Sequence, residues 1–434
     1  MYLLRSDNLD RLRNWSIRGG LAALDQGLFS GSNFILNVAL ARWISPVQYG
    51  AFAVGFAIYL FLSGFHNALI LEPISVLGTS RHSAQLKLYL ASQFISHLLV
   101  TGLMSSLAVL TTFLLFFLDL IGREIFQALV GIGLSLPFML LIWLTRRIYY
   151  VLQRPKGSFR STLIYSVSIF LFAYFLNLSP GRENISTWFA IMGLASLFGS
   201  LGIIFETWPS LLNAGAFAGW KPFLREQWIF GRWIVLASIL HTIGTQIQIF
   251  VTASFLGLQS AGAYRALQNF MLPMFQLVGA ASTLALPSIA SEFGRGNFRG
   301  MRQKSLQVTL VLVGLAFGYE VMLFFGGGWA ENFLYGGKYS NYVWLIPLIG
   351  LVPLINAMET GYSLILRSLQ KPAFYLIDKS IAALIGGLSA FAFIANWMVS
   401  GAVLSLILIE LSTVILYWWL NRRWFLQMAG RTLA

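Results

Sequence analysis

The most constraining feature of this chain is a recurrence. Apolar runs of about 20 residues return twelve times, each long enough as a helix to cross roughly 30 Å of hydrocarbon. They lie near residues 21–41, 49–71, 88–118, 125–145, 161–177, 185–205, 233–256, 262–286, 305–325, 342–365, 375–395 and 398–420. No intervening stretch is polar and long enough to fold around an aqueous core, so the 434 residues read as one integral membrane unit. A backbone in lipid must satisfy its own hydrogen bonds, and runs of this length do so as helices, so the expected fold is all-α. The third run exceeds one untilted helix and the fifth falls short, which leaves the count open by one at either place.

A net charge of +14 suggests nucleic acid until the basic residues are placed. With twelve spans, 24 of the 29 Lys and Arg fall at the termini and on alternate connections, and 5 on the others. Basic residues are retained on the cytoplasmic side, so this asymmetry puts both termini there and accounts for the charge without nucleic acid. The densest cluster, Arg146, Arg147, Arg154, Lys156 and Arg160, falls between spans four and five, where contact with anionic lipid is expected. Residues 1–20 are polar and amphipathic, which predicts an interfacial helix rather than a cleavable leader.

The chain matches itself at an offset near 215 residues. Leu40–Phe52, which ends the first span and opens the second, aligns with Thr252–Tyr264 at spans seven and eight and sets Gly50 on Gly262. Leu152-Gln153-Arg154-Pro155 aligns with Leu369-Gln370-Lys371-Pro372 in the same orientation. Pro155 and Pro372 are expected to open helices after short turns. Parallel repeats predict two six-helix bundles about a central cavity: 21–206 and 233–420, with a head (1–20), a cytoplasmic linker (207–232) and a tail (421–434).

At Ala41-Arg42-Trp43-Ile44-Ser45-Pro46-Val47-Gln48-Tyr49-Gly50-Ala51-Phe52, and at its echo Gly262-Ala263-Tyr264, the sequence resembles the polysaccharide (O-antigen type) flippases of the multidrug/oligosaccharidyl-lipid/polysaccharide exporter superfamily. The resemblance covers essentially the whole chain. Gln48 departs from it, since the family often carries an acid there. The resemblance implies a monomeric, multi-pass exporter in the bacterial plasma (inner) membrane. It would move undecaprenyl-diphosphate-linked oligosaccharide to the outer leaflet by alternating access, alongside other polysaccharide-assembly proteins.

Polar residues inside the spans are candidates for the pathway. Gln26, Ser30, Asn33 and Asn37 share one helical face, and His241, Thr245, Gln248 and Thr252 repeat the pattern in span seven. Tyr59, Ser63 and His66 do so in span two, and Arg265, Gln268, Leu272 and Gln276 in span eight. In the resembled family these helices line the central cavity, where amides and hydroxyls suit a sugar; interhelical hydrogen bonding is the alternative. The resemblance also implies arginines at the diphosphate. The candidates here are Arg18, Arg42 and Arg265, with headgroup pairing as the alternative for the last two. Asp25, Glu320, Glu359, Lys379 and Glu410 lie at membrane depth and need partners or functions. Asp25 is a possible ion-coupling acid, Glu410 is expected to find a buried partner, and Glu320 and Lys379 sit near enough to span ends to snorkel.

The sequence has no cysteine, no zinc-protease pair, no phosphate loop and no nucleophile elbow, so neither a metal, a cofactor nor an enzymatic role is expected. Two other functions stay open. A drug or cation antiporter of the same superfamily would use a membrane-embedded acid. A membrane glycan polymerase or ligase would need an outer catalytic surface, for which the longest outer connection, Gly326 to Asn341, leaves little room.

Overall fold

The computed structural model describes the backbone at 3–211, 214–369 and 372–432, and side chains mainly within 19–207, 221–369 and 376–424. The described residues are helical apart from short turns. In order, the helices are α1 (Leu3–Trp43), α2 (Pro46–His66), α3 (Glu72–Ser80), α4 (Leu86–Phe117), α5 (Arg123–Val151), α6 (Pro155–Asn177) and α7 (Ile185–Leu211). Then come α8 (Ala214–Leu256), α9 (Leu258–Asn269), α10 (Leu272–Gly294), α11 (Phe298–Tyr335), α12 (Ile346–Ser368) and α13 (Pro372–Thr432). Ten described stretches are long and apolar enough to cross a membrane. The last of them, Leu376–Trp424, doubles back at Trp397 and Met398, whose backbone leaves helical geometry. α1 falls outside the ten because its amides and Asp25 dilute its apolar character. This is a multi-pass membrane protein.

Several local features follow from single residues. α6 and α13 start at Pro155 and Pro372, as the sequence predicts, because a helix's first turn does not need the missing N–H. α8 ends at Gly257 (φ 81°) and α11 at Gly336 (φ 68°), left-handed positions that favour glycine. The long third run stays one helix, and the short fifth gains length by starting at Pro155.

Two expectations need correction. The eighth span is not continuous: it breaks at Phe270 and Met271 ahead of Pro273, which cannot donate to the preceding turn. Gly326 to Gly328 are not part of a connection but lie within α11, where Gly327 lets Ile346 of α12 approach; a Cβ there would sit 3.0 Å from its Cγ2. The head is continuous with the first span in α1, and its side chains lie outside the described residues. The stretch 207–232 is helical where described, and 214–232 form the start of α8.

The chain divides into two compact units, 1–36 with 55–238 and 37–54 with 239–434. In the first, α5 crosses α7 through small residues: a Cβ on Gly131 would come within 2.6 Å of Ser186 Cα, and one on Gly193 within 3.1 Å of Ser135 Cβ. The beginning of α8 belongs to this unit. Phe223 packs edge-on against Tyr89 (5.1 Å) and His82 (5.0 Å), Gln227 bonds Gln93, and Gly231 fits against the Ala68 carbonyl.

In the second unit, the two glycines aligned by the internal repeat pack against each other's helices. A Cβ on Gly50 would lie 1.8 Å from the Leu258 carbonyl oxygen, and one on Gly262 2.4 Å from that of Pro46. This crossing puts 37–54 in the second unit. Two cations fasten it at helix ends, where carbonyls lack helical partners. Arg42 Nη1 donates to the Phe333 carbonyl (2.6 Å), and Lys338 Nζ to that of Ile44 (2.7 Å).

Candidate functional site

In the first unit the polar face of α1 meets α5 and α6, both of which present polar residues at helical spacing. Asp25 is wholly buried. Its carboxylate accepts from Arg146 Nη2 (3.1 Å) and Nε (3.3 Å), and from the hydroxyls of Tyr150, Ser158 (2.8 Å) and Thr162. Arg146 and Tyr150 are one turn apart on α5, as are Ser158 and Thr162 on α6, so each helix brings two donors to one carboxylate. The Arg146 guanidinium also stacks 4.2 Å over the Phe29 ring.

Arg146 is therefore not a loop cation beside headgroups but a buried one, 5% exposed. The signal for it was the need of Asp25 for a partner, together with the Ser158, Thr162, Ser166 stripe in a segment read as apolar. Gln26, exposed, accepts from the same Arg146 Nη2 (2.9 Å) and donates to Ser30 (3.1 Å). Half-buried Asn33 accepts from Tyr165 (2.9 Å), Ser32 bonds Ser166 (2.8 Å), and Asn37 is buried in the second unit.

On α2, Tyr59 and His66 are buried and Ser63 is half-buried. The Tyr59 hydroxyl accepts from Trp143 Nε1 (3.0 Å), and Ser63 donates to the Leu60 carbonyl (2.8 Å). His66 is fully buried against His97, with Nε2 to Nδ1 at 2.9 Å, and His97 Nε2 lies 3.1 Å from the Pro137 carbonyl.

In the second unit, the α8 stripe divides. His241 is exposed and Thr245 half-buried, bonding the His241 carbonyl, whereas Gln248 and Thr252 are buried. Gln248 Nε2 donates to Ser405 Oγ (3.3 Å) on α13.

Arg265 lies two turns into α9, not in the first turn of a span, and is 8% exposed. Its Nη1 donates to Gln268 (3.2 Å), and its guanidinium lies beside Tyr49. Tyr49 and Tyr335 both accept from Asn269 (3.1 and 3.3 Å), which surrounds the arginine with hydrogen-bonded aromatic hydroxyls. The helix break at Phe270 ends the shared face, so Gln268 is buried whereas Gln276 is exposed on α10. Arg42 is committed to the Phe333 carbonyl, and the Arg18 side chain lies outside the described residues.

The remaining membrane-depth acids are in this unit. Asn356 Nδ2 donates to both Glu359 (3.1 Å) and Glu410 (3.2 Å), which gives Glu410 its expected partner. Lys379 pairs with buried Asp378 (2.8 Å). Glu320 does not snorkel: it packs over Gly350, whose Cβ would fall 2.0 Å from Oε2.

Solved structures of transporters carry this arrangement of helices. The chain superposes on an inward-facing multidrug resistance MATE family transporter of the MOP superfamily with a TM-score of 0.74 at 10% identity, covering 92% of this chain and 94% of that one. On the lipid II flippase MurJ, in an inward closed conformation, the TM-score is 0.69 at 15% identity, with 94% and 87% covered. On a MOP superfamily transporter from Pyrococcus furiosus it is 0.60 at 12% identity, with 94% and 95% covered. No family model and no curated protein matches the sequence. The fold is that of MOP superfamily transporters.

Proposed function

We propose that the protein is a flippase that carries undecaprenyl-diphosphate-linked oligosaccharide across the bacterial plasma membrane by alternating access, for surface polysaccharide assembly. One observation carries this reading: Arg265 is buried in a neutral polar setting, framed by Gln268 and Tyr49, whereas Arg146 is already neutralised by Asp25 and reaches exposed Gln26. Amides and hydroxyls can replace water around sugar hydroxyls, and a guanidinium held by the fold can meet a diphosphate at lower entropic cost than a free side chain. The resemblance carried by Ala41–Phe52, with its Ser45-Pro46-Val47-Gln48-Tyr49-Gly50 turn, and the lipid II flippase among the superposed structures support the same reading. Arg265 is the proposed diphosphate partner. Arg18 is proposed to recruit the headgroup, and Gln26, Ser30, Asn33, His241, Thr245 and Gln276 to contact the glycan. The protein is proposed to work as a monomer, both termini cytoplasmic, and to catalyse no reaction.

A second reading, a drug or cation antiporter, is favoured by Glu359 and Glu410, two carboxylates that share the Asn356 amide. Complementation separates the two. In cells lacking their own flippase, the protein should restore surface polysaccharide and Arg265→Gln should abolish it at unchanged membrane abundance. Failure to restore it, with gain of resistance to cationic drugs, would establish the second reading.

A further inference from the structure

In the second unit α11 and α12 run close together, and glycines set the spacing. Gly327 admits Ile346, and Gly361 sits against Thr309 and the Ser305 carbonyl. Between them Gly350 takes the carboxyl of Glu320, where a Cβ would overlap Oε2. The buried acids elsewhere in the spans each have a donor or a cation. Asp25 has Arg146 and three hydroxyls, Glu359 and Glu410 have the Asn356 amide, Asp378 has Lys379, and Glu331 accepts from the Tyr339 N–H (2.8 Å). Glu320 has neither. Among the described residues no group donates a hydrogen bond to it and no cation pairs with it, although its Oε2 is buried.

The ionisable groups on the elements around it are engaged elsewhere. Beside it on α11, Tyr319 gives its hydroxyl hydrogen to the Phe270 carbonyl (2.7 Å). Glu331 and Lys304 lie about 16 and 24 Å along α11 in opposite directions, and Lys304 is paired with Glu292 of α10 (2.6 Å). On α12, Glu359 is held by Asn356; on α13, which packs on α12, so is Glu410, while Asp378 and Lys379 pair with each other. Tyr342 stands in the short turn that leads into α12.

An ionised carboxylate without a donor at membrane depth is costly, whereas a neutral acid needs only one acceptor for its hydrogen. α12 supplies an acceptor at the same turn. Pro353 has no N–H, so the carbonyl of Ile349, the residue before Gly350, lacks its helical donor. A carboxyl that accepts nothing and a carbonyl that receives nothing are complementary only when the carboxyl carries a hydrogen.

We propose that Glu320 is a proton-binding site: it stands as the neutral acid and donates to the Ile349 carbonyl that Pro353 leaves free. Loss of that proton to water sets a bare carboxylate against the α12 backbone, so protonation is linked to the seating of α12 on α11. Asp25, the acid that the sequence offers for ion coupling, is fixed by Arg146 and three hydroxyls, whereas nothing holds Glu320 in one charge state. The inference does not depend on the identity of the transported cargo.

The test uses the purified full chain. Dicyclohexylcarbodiimide, a lipid-soluble reagent that adds to protonated carboxyls, should leave a mass adduct on Glu320, which is half-buried and therefore within its reach, and labelling should fall as the pH is raised. The infrared difference between the parent and E320Q should show the loss of one protonated-carboxyl band, shifted in deuterium oxide. P353A returns an N–H to the Ile349 carbonyl, so in that variant the band should move to higher frequency as the acid loses its acceptor. Glutamine keeps the shape and a donor; if E320Q still fails to accumulate, labelling of the parent and the difference between the parent and P353A decide the matter. No adduct on Glu320, labelling indifferent to pH, no acid band lost in E320Q, or a band unmoved in P353A overturns the proposal.

Discussion

Asp25→Asn is the most informative single change, because it separates an ion pair that holds the fold from an acid that moves ions. At 3.1 Å and an effective dielectric near 20, the Asp25–Arg146 attraction is ~5 kcal/mol before desolvation is counted. Asparagine keeps the shape and can still accept hydrogen bonds, but it leaves the buried Arg146 guanidinium without a counter-charge, beside neutral Gln26 and the Phe29 and Trp143 rings. Breaking one side of such a pair costs about 3–5 kcal/mol. Thermal unfolding of purified protein should therefore show a clearly lowered midpoint for D25N. D25N/R146Q, which removes both charges, should recover at least half of that loss. Export in the same cells supplies the second readout: if the pair is structural, the double variant exports. A parent-like midpoint for D25N would refute the argument. A stable but silent double variant would show that the Asp25–Arg146 pair takes part in transport.

Gly50→Val should cost more than 3 kcal/mol, or prevent accumulation, because the new Cβ falls on the Leu258 carbonyl; normal yield and melting would contradict the crossing. Asn33→Leu strands the Tyr165 hydroxyl at about 1–3 kcal/mol, and Tyr165→Phe removes that cost. If Asn33 faces cargo, N33L/Y165F should melt normally and still export poorly, whereas full export would make Asn33 a packing residue. Glu359→Gln removes one of two carboxylates competing for the Asn356 amide and should raise the melting temperature; a fall would mean that the charge is stabilised by groups beyond Asn356. A reporter fused after Ala434 should read cytoplasmic, and an external signal would break the charge-based topology.

What the sequence made legible was periodic and one-dimensional. Apolar length marked the crossings, and Pro155 and Pro372 marked helix starts. The Gly50/Gly262 repeat marked equivalent positions in the two halves, but alignment alone could not say that the two glycines pack on each other's helices. What stayed hidden depends on partners distant in sequence. Arg146 sits in a basic run that looks like a loop, and only Asp25, 121 residues away, explains its burial. His66 shares its helical face with plausible pathway residues, yet His97 holds it inside the unit. Arg265 and Gln276 align on an ideal helix and separate in the fold because the chain breaks between them, ahead of Pro273.

On the proposed function, a lipid-linked sugar crosses the membrane through this protein. The most direct measurement is a flipping assay in proteoliposomes loaded with fluorescent undecaprenyl-diphosphate-linked oligosaccharide, with the outer-leaflet fraction read by a membrane-impermeant quencher or lectin. Exchange should run well above that of protein-free vesicles, fall at least tenfold with Arg265→Gln and be unaffected by cationic dyes. Exchange no faster than in protein-free vesicles, together with cation-driven uptake of such dyes, would contradict it.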